Sequence, residues 1–201
     1  PACSAASDKP KLVAFAFLVK KTCLGSPAVA LAAQCLGRII KALQLLYPAT
    51  KIQSVEAAFV YDFPIKQLIL AFKDQGNLAA GHALTLCLAQ RIIHDPTQSV
   101  MPDLLIPVPS PWRKRRQRGY NPATLIAKDL ASALNRPWTP TLIKTHPTRQ
   151  DRKHQSRQQR LNDSTNPFYI GRSKAPCHIA IIDDVVTSMT TANHVAERLQ
   201  Q

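Results

Sequence analysis

The stretch Ile179–Thr191 (IAIIDDVVTSMTT) carries the strongest structural signal in this chain of 201 residues. Its short apolar run predicts a buried strand, which ends at two adjacent acids, Asp183 and Asp184. A loop rich in hydroxyl side chains follows, and Thr190–Gln200 then has the apolar spacing of a helix. Because ligands of open α/β sheets bind at the carboxyl ends of strands, this stretch predicts a binding site.

The residue types after the strand suit a sugar phosphate. Backbone N–H groups at a helix N-terminus bind phosphate, and Thr187, Ser188 and Thr191 add hydroxyl groups there. Adjacent carboxylates suit sugar hydroxyls or a Mg²⁺ ion, which prefers oxygen ligands. The same pattern also fits a buried strand with a solvated acidic end and a capped helix. The residues alone leave both interpretations open.

Strands alternate with helices through residues 51–201, and 45% of the chain is hydrophobic, enough for a packed core. This alternation predicts an α/β fold with a mainly parallel sheet flanked by helices. Asn121 is the predicted N-cap of one helix. The predicted strands are Val55–Tyr61, Asp103–Val108, Leu142–Lys144, Phe168–Ile170 and His178–Ile182, and the predicted helices are Ile65–Phe72, Leu78–Ile93, Pro122–Leu134 and Thr190–Gln200.

The formal net charge of +14 is concentrated between Arg113 and Arg160, where 13 basic residues face two acids. They form two bursts, 113–118 and 149–160, which we place on loops or loop-to-helix junctions. Such an excess predicts an anionic partner: nucleic acid, a membrane surface or a phosphate-rich small molecule. Within Trp112–Arg118, the candidate nucleic-acid contacts are Arg113, Arg115 and Arg116; a solvated loop or one that holds pyrophosphate is the alternative.

Several classes of protein are disfavoured. The longest apolar run, Leu12–Val19, is far shorter than the roughly 20 residues that span a bilayer. Lys20 and Lys21 follow it directly, which does not fit a signal peptide. The five cysteines contain no C-x-x-C pair, so reduced thiols and a cytoplasmic location are expected. No nucleophile elbow or P-loop lysine motif occurs.

Four segments within about residues 55–200 resemble the ComF (GntX-like) family of type I phosphoribosyltransferase-like proteins. Ile181–Thr191 resembles the loop of these proteins that binds phosphoribosyl pyrophosphate (PRPP). Leu104–Asn121 (LLIPVPSPWRKRRQRGYN) resembles the family's Pro-Val-Pro strand, basic stretch and Arg-Gly-aromatic-Asn turn. The looser matches are Tyr61–Lys73 (YDFPIKQLILAFK) and the set Arg160, Asn162 and Phe168.

The resemblance implies a type I phosphoribosyltransferase-like fold that binds PRPP and Mg²⁺. Asp183 and Asp184 are the implied catalytic residues, which would bind ribose hydroxyls and help to place Mg²⁺ directly or indirectly. The segment around Pro109 would approach pyrophosphate. The implied PRPP- or phosphate-binding residues are Thr187, Ser188, Met189, Thr190, Thr191, Arg118 and Arg160.

This chain departs from the family's pattern at several places. Met189 stands where the family has Gly, a residue used where φ is positive or backbone approaches a ligand closely. The chain stops at Gln201, before a further strand of the family, so we expect a sheet truncated at its C-terminal edge. Residues 1–50 are interpreted as the relic of a zinc module and residues 51–201 as the phosphoribosyltransferase-like domain. The relic is expected to be metal-free, because Cys3, Cys23 and Cys35 do not complete a tetrahedral site.

Two functions stay open at this point. The first is a phosphoribosyltransferase, in the glycosyltransferase class, that acts on PRPP or a phosphoribosylated ligand. The second is a nucleic-acid-binding protein on the same fold with weak or no catalysis. Because the resembled family is linked to DNA uptake and DNA use during competence, single-stranded DNA and competence or DNA-processing proteins are further expected partners.

Overall fold

The computed structural model describes residues 11–19, 51–94, 101–145, 167–170, 178–186 and 189–200, the first of these ranges by its backbone alone. These residues form an α/β structure with one four-stranded sheet and one two-stranded sheet. The strands are β1 (Lys11–Val19), β2 (Ser54–Val60), β3 (Leu104–Pro107), β4 (Ile143–Thr145), β5 (Phe168–Ile170) and β6 (His178–Val186). The helices are α1 (Ile65–Asp74), α2 (Leu78–Ile93), α3 (Trp112–Arg118), α4 (Pro122–Leu134) and α5 (Thr190–Leu199).

The larger sheet has the strand order β2-β1-β6-β3, and every neighbouring pair in it is parallel. Its register places Ile106 of β3 opposite Ile181 of β6. Strands β4 and β5 form a separate antiparallel pair. The predicted parallel sheet is therefore confirmed, whereas the phosphoribosyltransferase fold itself and the truncated edge stay predictions.

Strand β1 is the one described strand of the large sheet that the sequence did not predict. Its backbone pairs with β2 on one side and with β6 on the other, so it lies inside the sheet. It comes from residues 1–50, which the sequence assigns to a zinc-module relic. The three cysteines of that interpretation, at positions 3, 23 and 35, lie outside the described residues. The domain division at residue 50 therefore stays a prediction.

Helices cover both faces of β6, which explains its unbroken apolar run. Ile179 and Ile181 belong to one core cluster with Val195 and Leu199 of α5. The alternate residues of β6, including Ile182, belong to a second cluster with residues of α2 and α4. Successive side chains of a strand point to opposite faces, so a strand covered on both faces is apolar throughout.

The first basic burst is a helix, not the predicted loop or loop-to-helix junction. Arg, Lys and Gln are good helix formers, and α3 contains little else. The helix ends at Gly119, whose φ of 82° is the left-handed conformation that glycine adopts readily. The second burst, residues 149–160, lies outside the described residues.

Two further details differ from the sequence interpretation. Strand β6 continues to Val186, so Asp183 and Asp184 lie within the strand near its carboxyl end. Asn121 does occupy the N-cap position of α4, but its side chain makes no capping hydrogen bond. Its side-chain amide is instead hydrogen-bonded to Val108 and Ser110, which follow β3.

Candidate ligand site at the carboxyl end of the sheet

A cavity of about 320 Å³ lies where β3 and β6 end, and we call it the ligand cavity. Carboxylates and cations both line it. The acids are Asp183 and Asp184, and the cations are Lys73, Lys114 and Arg118. Its other lining residues are Val108, Pro109, Ser110, Pro111, Asn121, Ala123, Thr145, Pro167, Phe168 and Thr191.

The structure brings together some of the residues singled out by sequence. Asp183, Asp184, Thr191 and Arg118 all line the ligand cavity, although they come from three separate elements. Thr190 begins α5 and is exposed. Thr187, Ser188 and Arg160 lie outside the described residues, so their implied roles stay predictions. The candidate nucleic-acid residues Arg113, Arg115 and Arg116 are exposed on α3 and do not line this cavity.

Met189 has the backbone conformation that a glycine would favour. Its φ is 58° and its ψ is −4°, which is left-handed, and it precedes the first residue of α5. Its side chain is 4% exposed and belongs to the core cluster that contains Val186 and Val195. Met189 does not line the ligand cavity, so its side chain packs into the core and leaves the cavity clear.

Lys73 at the end of α1 forms an ion pair with Asp184. Its Nζ atom lies 2.8 Å from Asp184 Oδ2, and the two side chains are 21% and 15% exposed. Water screens such a pair less than a surface pair, so the attraction between these charges is stronger. The pair therefore fixes one end of α1 against the acidic end of β6.

Three consecutive residues at the end of α1 contact the motifs that surround the ligand cavity. The Tyr120 hydroxyl donates a hydrogen bond to the Phe72 carbonyl oxygen. Lys73 pairs with Asp184, and the Arg118 guanidinium lies 2.9 Å from Asp74 Oδ1. The end of α1 thus joins the Arg-Gly-Tyr-Asn turn to the strand that carries the paired acids.

The two adjacent acids are not equivalent. Burial and the charge of Asp184 raise the pKa of Asp183 to about 8, although Lys73 and a backbone hydrogen bond oppose this rise. That bond is donated by the Asp184 backbone N–H to Asp183 Oδ1 over 2.8 Å. At neutral pH without a ligand, Asp183 is therefore protonated to a large extent, while Asp184 is paired with Lys73. A bound cation would favour release of that proton.

Hydrogen bonds hold the turn after β3 in place. The Ser110 hydroxyl donates to Asn121 Oδ1 over 2.7 Å, and Asn121 Nδ2 donates to the Val108 carbonyl oxygen over 2.9 Å. These two bonds fix which way the Asn121 amide points. The amide is therefore a structural link between the turn after β3 and the start of α4.

The sequence assigned no individual role in ligand binding to Lys73, Lys114 or Asn121, although one interpretation of the run that contains Lys114 was a loop that holds pyrophosphate. Lys73 belongs to a matching segment, but nothing in its neighbourhood indicates a partner on β6. The sequence does not distinguish Lys114 from the neighbouring basic residues, because the helix decides which of them line the cavity. Thr145 and Pro167, which flank residues 146–166, also line the cavity. The flanks of the segment that contains Arg160 are thus at this site.

Curated proteins similar to this chain have names that refer to competence and to DNA utilization. Competence protein F of Haemophilus influenzae is 29% identical over 146 residues, 70% of this chain and 64% of that protein. The DNA utilization protein YhgH is 28% identical in Salmonella typhimurium and 26% identical in Escherichia coli K12, each over 141 residues, 69% of this chain and 62% of the relative.

The chain thus spans less than two thirds of the length of these relatives. No family model and no solved structure matches it. Among the described helices, none is long and apolar enough to cross a membrane. The similarity to competence protein F and to the DNA utilization proteins confirms the resemblance to the ComF family that the motifs indicate.

Proposed function

We propose that this chain binds PRPP or a related phosphoribosyl ligand, together with Mg²⁺, in the ligand cavity. The observation that carries the proposal is the meeting of Asp183 and Asp184 with Lys73, Lys114 and Arg118 around one cavity. Carboxylates accept hydrogen bonds from sugar hydroxyls, and cations bind phosphate. A ligand with both groups uses both halves of this lining.

Each part of the ligand has a matching part of the cavity. The ribose hydroxyls would donate to Asp183 and Asp184 on β6. The 5′-phosphate would lie toward Thr191 in the first turn of α5, where backbone N–H groups favour an anion. The pyrophosphate would lie toward Lys114 and Arg118, whose charges balance those of its oxygens.

The acids present fit Mg²⁺ that arrives with a phosphate ligand. Asp183 and Asp184 provide carboxylate oxygens, and no cluster of three or more His, Cys, Asp or Glu suitable for a metal occurs in the described ranges. Mg²⁺ is commonly held by one or two carboxylates plus substrate phosphates. Asp183 and Asp184 would hold it here, and when bound it would neutralise charge on the pyrophosphate.

A transfer reaction would follow from this mode of binding. The bond between the anomeric carbon and pyrophosphate breaks as positive charge develops on the sugar. Lys114 and Arg118 would stabilise the departing anion, and the Asp184 carboxylate would face the developing positive charge. The names of the relatives suggest the setting: we place this activity in DNA uptake or utilisation, with DNA-processing proteins as partners.

Calorimetric titration of the full chain with PRPP and Mg²⁺ tests the proposal. We expect saturable binding that is lost in the double variant Asp183→Asn/Asp184→Asn. The control Asp129→Asn removes an acid on α4 that does not line the cavity and should leave binding unchanged. Absence of binding both in the native chain and in Met189→Gly would reject the proposal.

A second candidate function is nucleic-acid binding with weak or absent catalysis. It is favoured by the part of α3 that does not line the ligand cavity. This part carries Trp112, Arg113 and Arg116. The Trp112 ring is 38% exposed, with the Arg113 guanidinium 5.8 Å from its centre. An exposed aromatic ring beside arginines suits a base and its phosphate.

Single-stranded DNA binding measured at several salt concentrations separates the two functions. If α3 binds the DNA backbone, affinity should fall steeply with salt. Arg113→Gln/Arg116→Gln should weaken it, whereas Asp183→Asn/Asp184→Asn should not. A flat salt dependence, or no effect of the arginine variant, would reject this second function.

A further inference from the structure

A second cavity, of about 300 Å³, lies beside the ligand cavity, and we call it the proline cavity. Its walls are mostly apolar and rigid, because three proline rings, the Tyr120 ring and the Leu125 side chain form most of them. Its full lining is Pro107, Pro109, Ser110, Arg115, Tyr120, Asn121, Thr124, Leu125 and Pro140. Pockets that bind small molecules start at about this volume and have this mixture of apolar walls and few polar groups.

Arg115 is the one charged residue that lines the proline cavity. Among the described residues it forms no ion pair, in contrast to Arg118, which is paired with Asp74. Helix α3 thus directs its cations to different places: Lys114 and Arg118 to the ligand cavity, and Arg115 to the proline cavity. A single arginine matches one carboxylate, whereas the three cations of the ligand cavity match a polyanion.

The two cavities share a wall. Pro109, Ser110 and Asn121 line both of them, and the hydrogen bonds of Ser110 and Asn121 hold that wall in place. A reaction between two ligands requires that their reacting groups be held close together. Two neighbouring cavities of different chemistry, one polar and charged and the other apolar with one cation, provide that arrangement.

We propose that the proline cavity binds a planar aromatic or heteroaromatic ring with one carboxylate, and that this ring is the acceptor of the phosphoribosyl group. The proline and tyrosine rings contact its faces, and Arg115 binds its carboxylate. At its edge the Thr124 hydroxyl can donate or accept, whereas the Ser110 hydroxyl, which donates to Asn121, can only accept. The acceptor role rests on the proposed function, whereas binding of the ring does not.

Transfer to such an acceptor breaks one bond at the anomeric carbon and forms another. The bond from the anomeric carbon to pyrophosphate breaks, and its electron pair leaves with the pyrophosphate. A ring nitrogen donates its lone pair to form the new bond to that carbon. Any proton on this nitrogen passes to solvent, and the products are the phosphoribosylated ring and pyrophosphate.

Ligand-observed NMR of the full chain with nicotinate tests ring binding without PRPP. We expect saturation transfer to nicotinate, and at least tenfold weaker binding of nicotinamide, the neutral amide of the same ring. Arg115→Met should weaken nicotinate binding to a similar degree. The matched control is Arg113→Met, which changes another exposed arginine of α3 that lines neither cavity, and it should bind nicotinate normally.

A variant that fills the proline cavity shows whether a loss of nicotinate binding reflects the cavity itself or a misfolded chain. Leu125→Trp should abolish nicotinate binding while PRPP binding is retained, because Leu125 lines the proline cavity but not the ligand cavity. Equal binding of nicotinate and nicotinamide, or no effect of Arg115→Met, would overturn the inference. Nicotinate binding in a chain that fails to bind PRPP would uphold the ring site and reject the proposed function and the acceptor role.

Discussion

The Lys73 ammonium lies 2.8 Å from the Asp184 carboxylate, and this contact joins the end of α1 to the acidic end of β6. The neighbouring residue Asp74 pairs with Arg118, so two successive residues of one helix engage two separate motifs. Positive and negative groups therefore alternate around the ligand cavity before any ligand enters.

Lys73→Met should destabilise the fold, because it leaves the Asp184 carboxylate without its cation. Loss of one partner from a buried ion pair costs about 3–5 kcal/mol. These side chains keep some exposure, so we expect the free energy of unfolding to fall by about 1–3 kcal/mol. Urea unfolding at pH 7 measures it. Lys128→Met, which changes an exposed lysine of α4, is the control, and an equal effect of both variants would contradict the prediction.

Asp74→Asn should strengthen anion binding in the ligand cavity. Asp74 is half exposed and shares the Arg118 guanidinium with the cavity, so a neutral amide frees that cation for a ligand. We expect about three- to tenfold tighter binding of inorganic pyrophosphate by calorimetry, a gain of up to about 1.4 kcal/mol that shrinks at high salt. Asp129→Asn, in a surface pair with His82, should have no effect. Weaker binding in Asp74→Asn would mean that Asp74 orients Arg118 instead.

Asp183 should make the ligand-free fold less stable as pH rises. Its pKa is raised to about 8, from an ordinary value of 3.8, by burial and by the charge of Asp184. Between these values the folded chain holds a proton that the unfolded chain has lost, so stability falls with pH across that interval. Asp183→Asn mimics the protonated form and should flatten this dependence.

Denaturant unfolding from pH 5 to pH 9 measures the effect of Asp183→Asn. One pKa unit corresponds to about 1.4 kcal/mol. We therefore expect the free energy of unfolding of this variant to exceed that of the native chain by more than about 1 kcal/mol at pH 9. At pH 5 the difference should be several-fold smaller, because only the lower end of the interval between the unfolded and folded pKa values has been crossed there. Parallel curves for the two proteins would show that Asp183 does not titrate in this interval.

At position 189 a glycine variant should be more stable than an alanine variant, which is unusual. Removal of a buried Met side chain costs about 2–5 kcal/mol, and a non-Gly residue in the left-handed region costs about 1–2 kcal/mol. Met189→Gly loses the side chain but relieves the backbone, whereas Met189→Ala loses the side chain and keeps the strain. We expect stability to fall in the order Met, Gly, Ala, with Gly about 1 kcal/mol above Ala.

The same comparison on an exposed helix residue provides the control for Met189. Ala133 lies on α4 with an exposed side chain. There Ala133→Gly should lower the free energy of unfolding by about 0.5–1 kcal/mol. Glycine is then less stabilising than alanine, the reverse of the order expected at position 189. If alanine also ranks above glycine at position 189, the left-handed conformation is not the controlling factor.

Local pattern was sufficient for most of the described elements. The helix of Pro122–Leu134 and the strand of Phe168–Ile170 have their predicted bounds, because the periodicity of apolar residues and the flanking Pro and Asn are visible in a short window. Strand β1 was missed because the periodicity of a short apolar run such as Leu12–Val19 does not distinguish a strand from a helix, and only its pairing with β2 and β6 does. Helix α3 was missed because its arginines and lysines show no apolar periodicity, although their helix propensity is high.

The chemical types at the candidate site follow from the amino-acid sequence: paired acids after an apolar run, hydroxyl groups at the start of a helix and a concentrated positive charge. Their arrangement required the tertiary structure. The contact of Lys73 with Asp184, that of Asp74 with Arg118, and the assignment of Arg115 to a different cavity all join distant segments. Periodicity reports which face of an element is buried, but the partner of a polar side chain depends on how the elements pack.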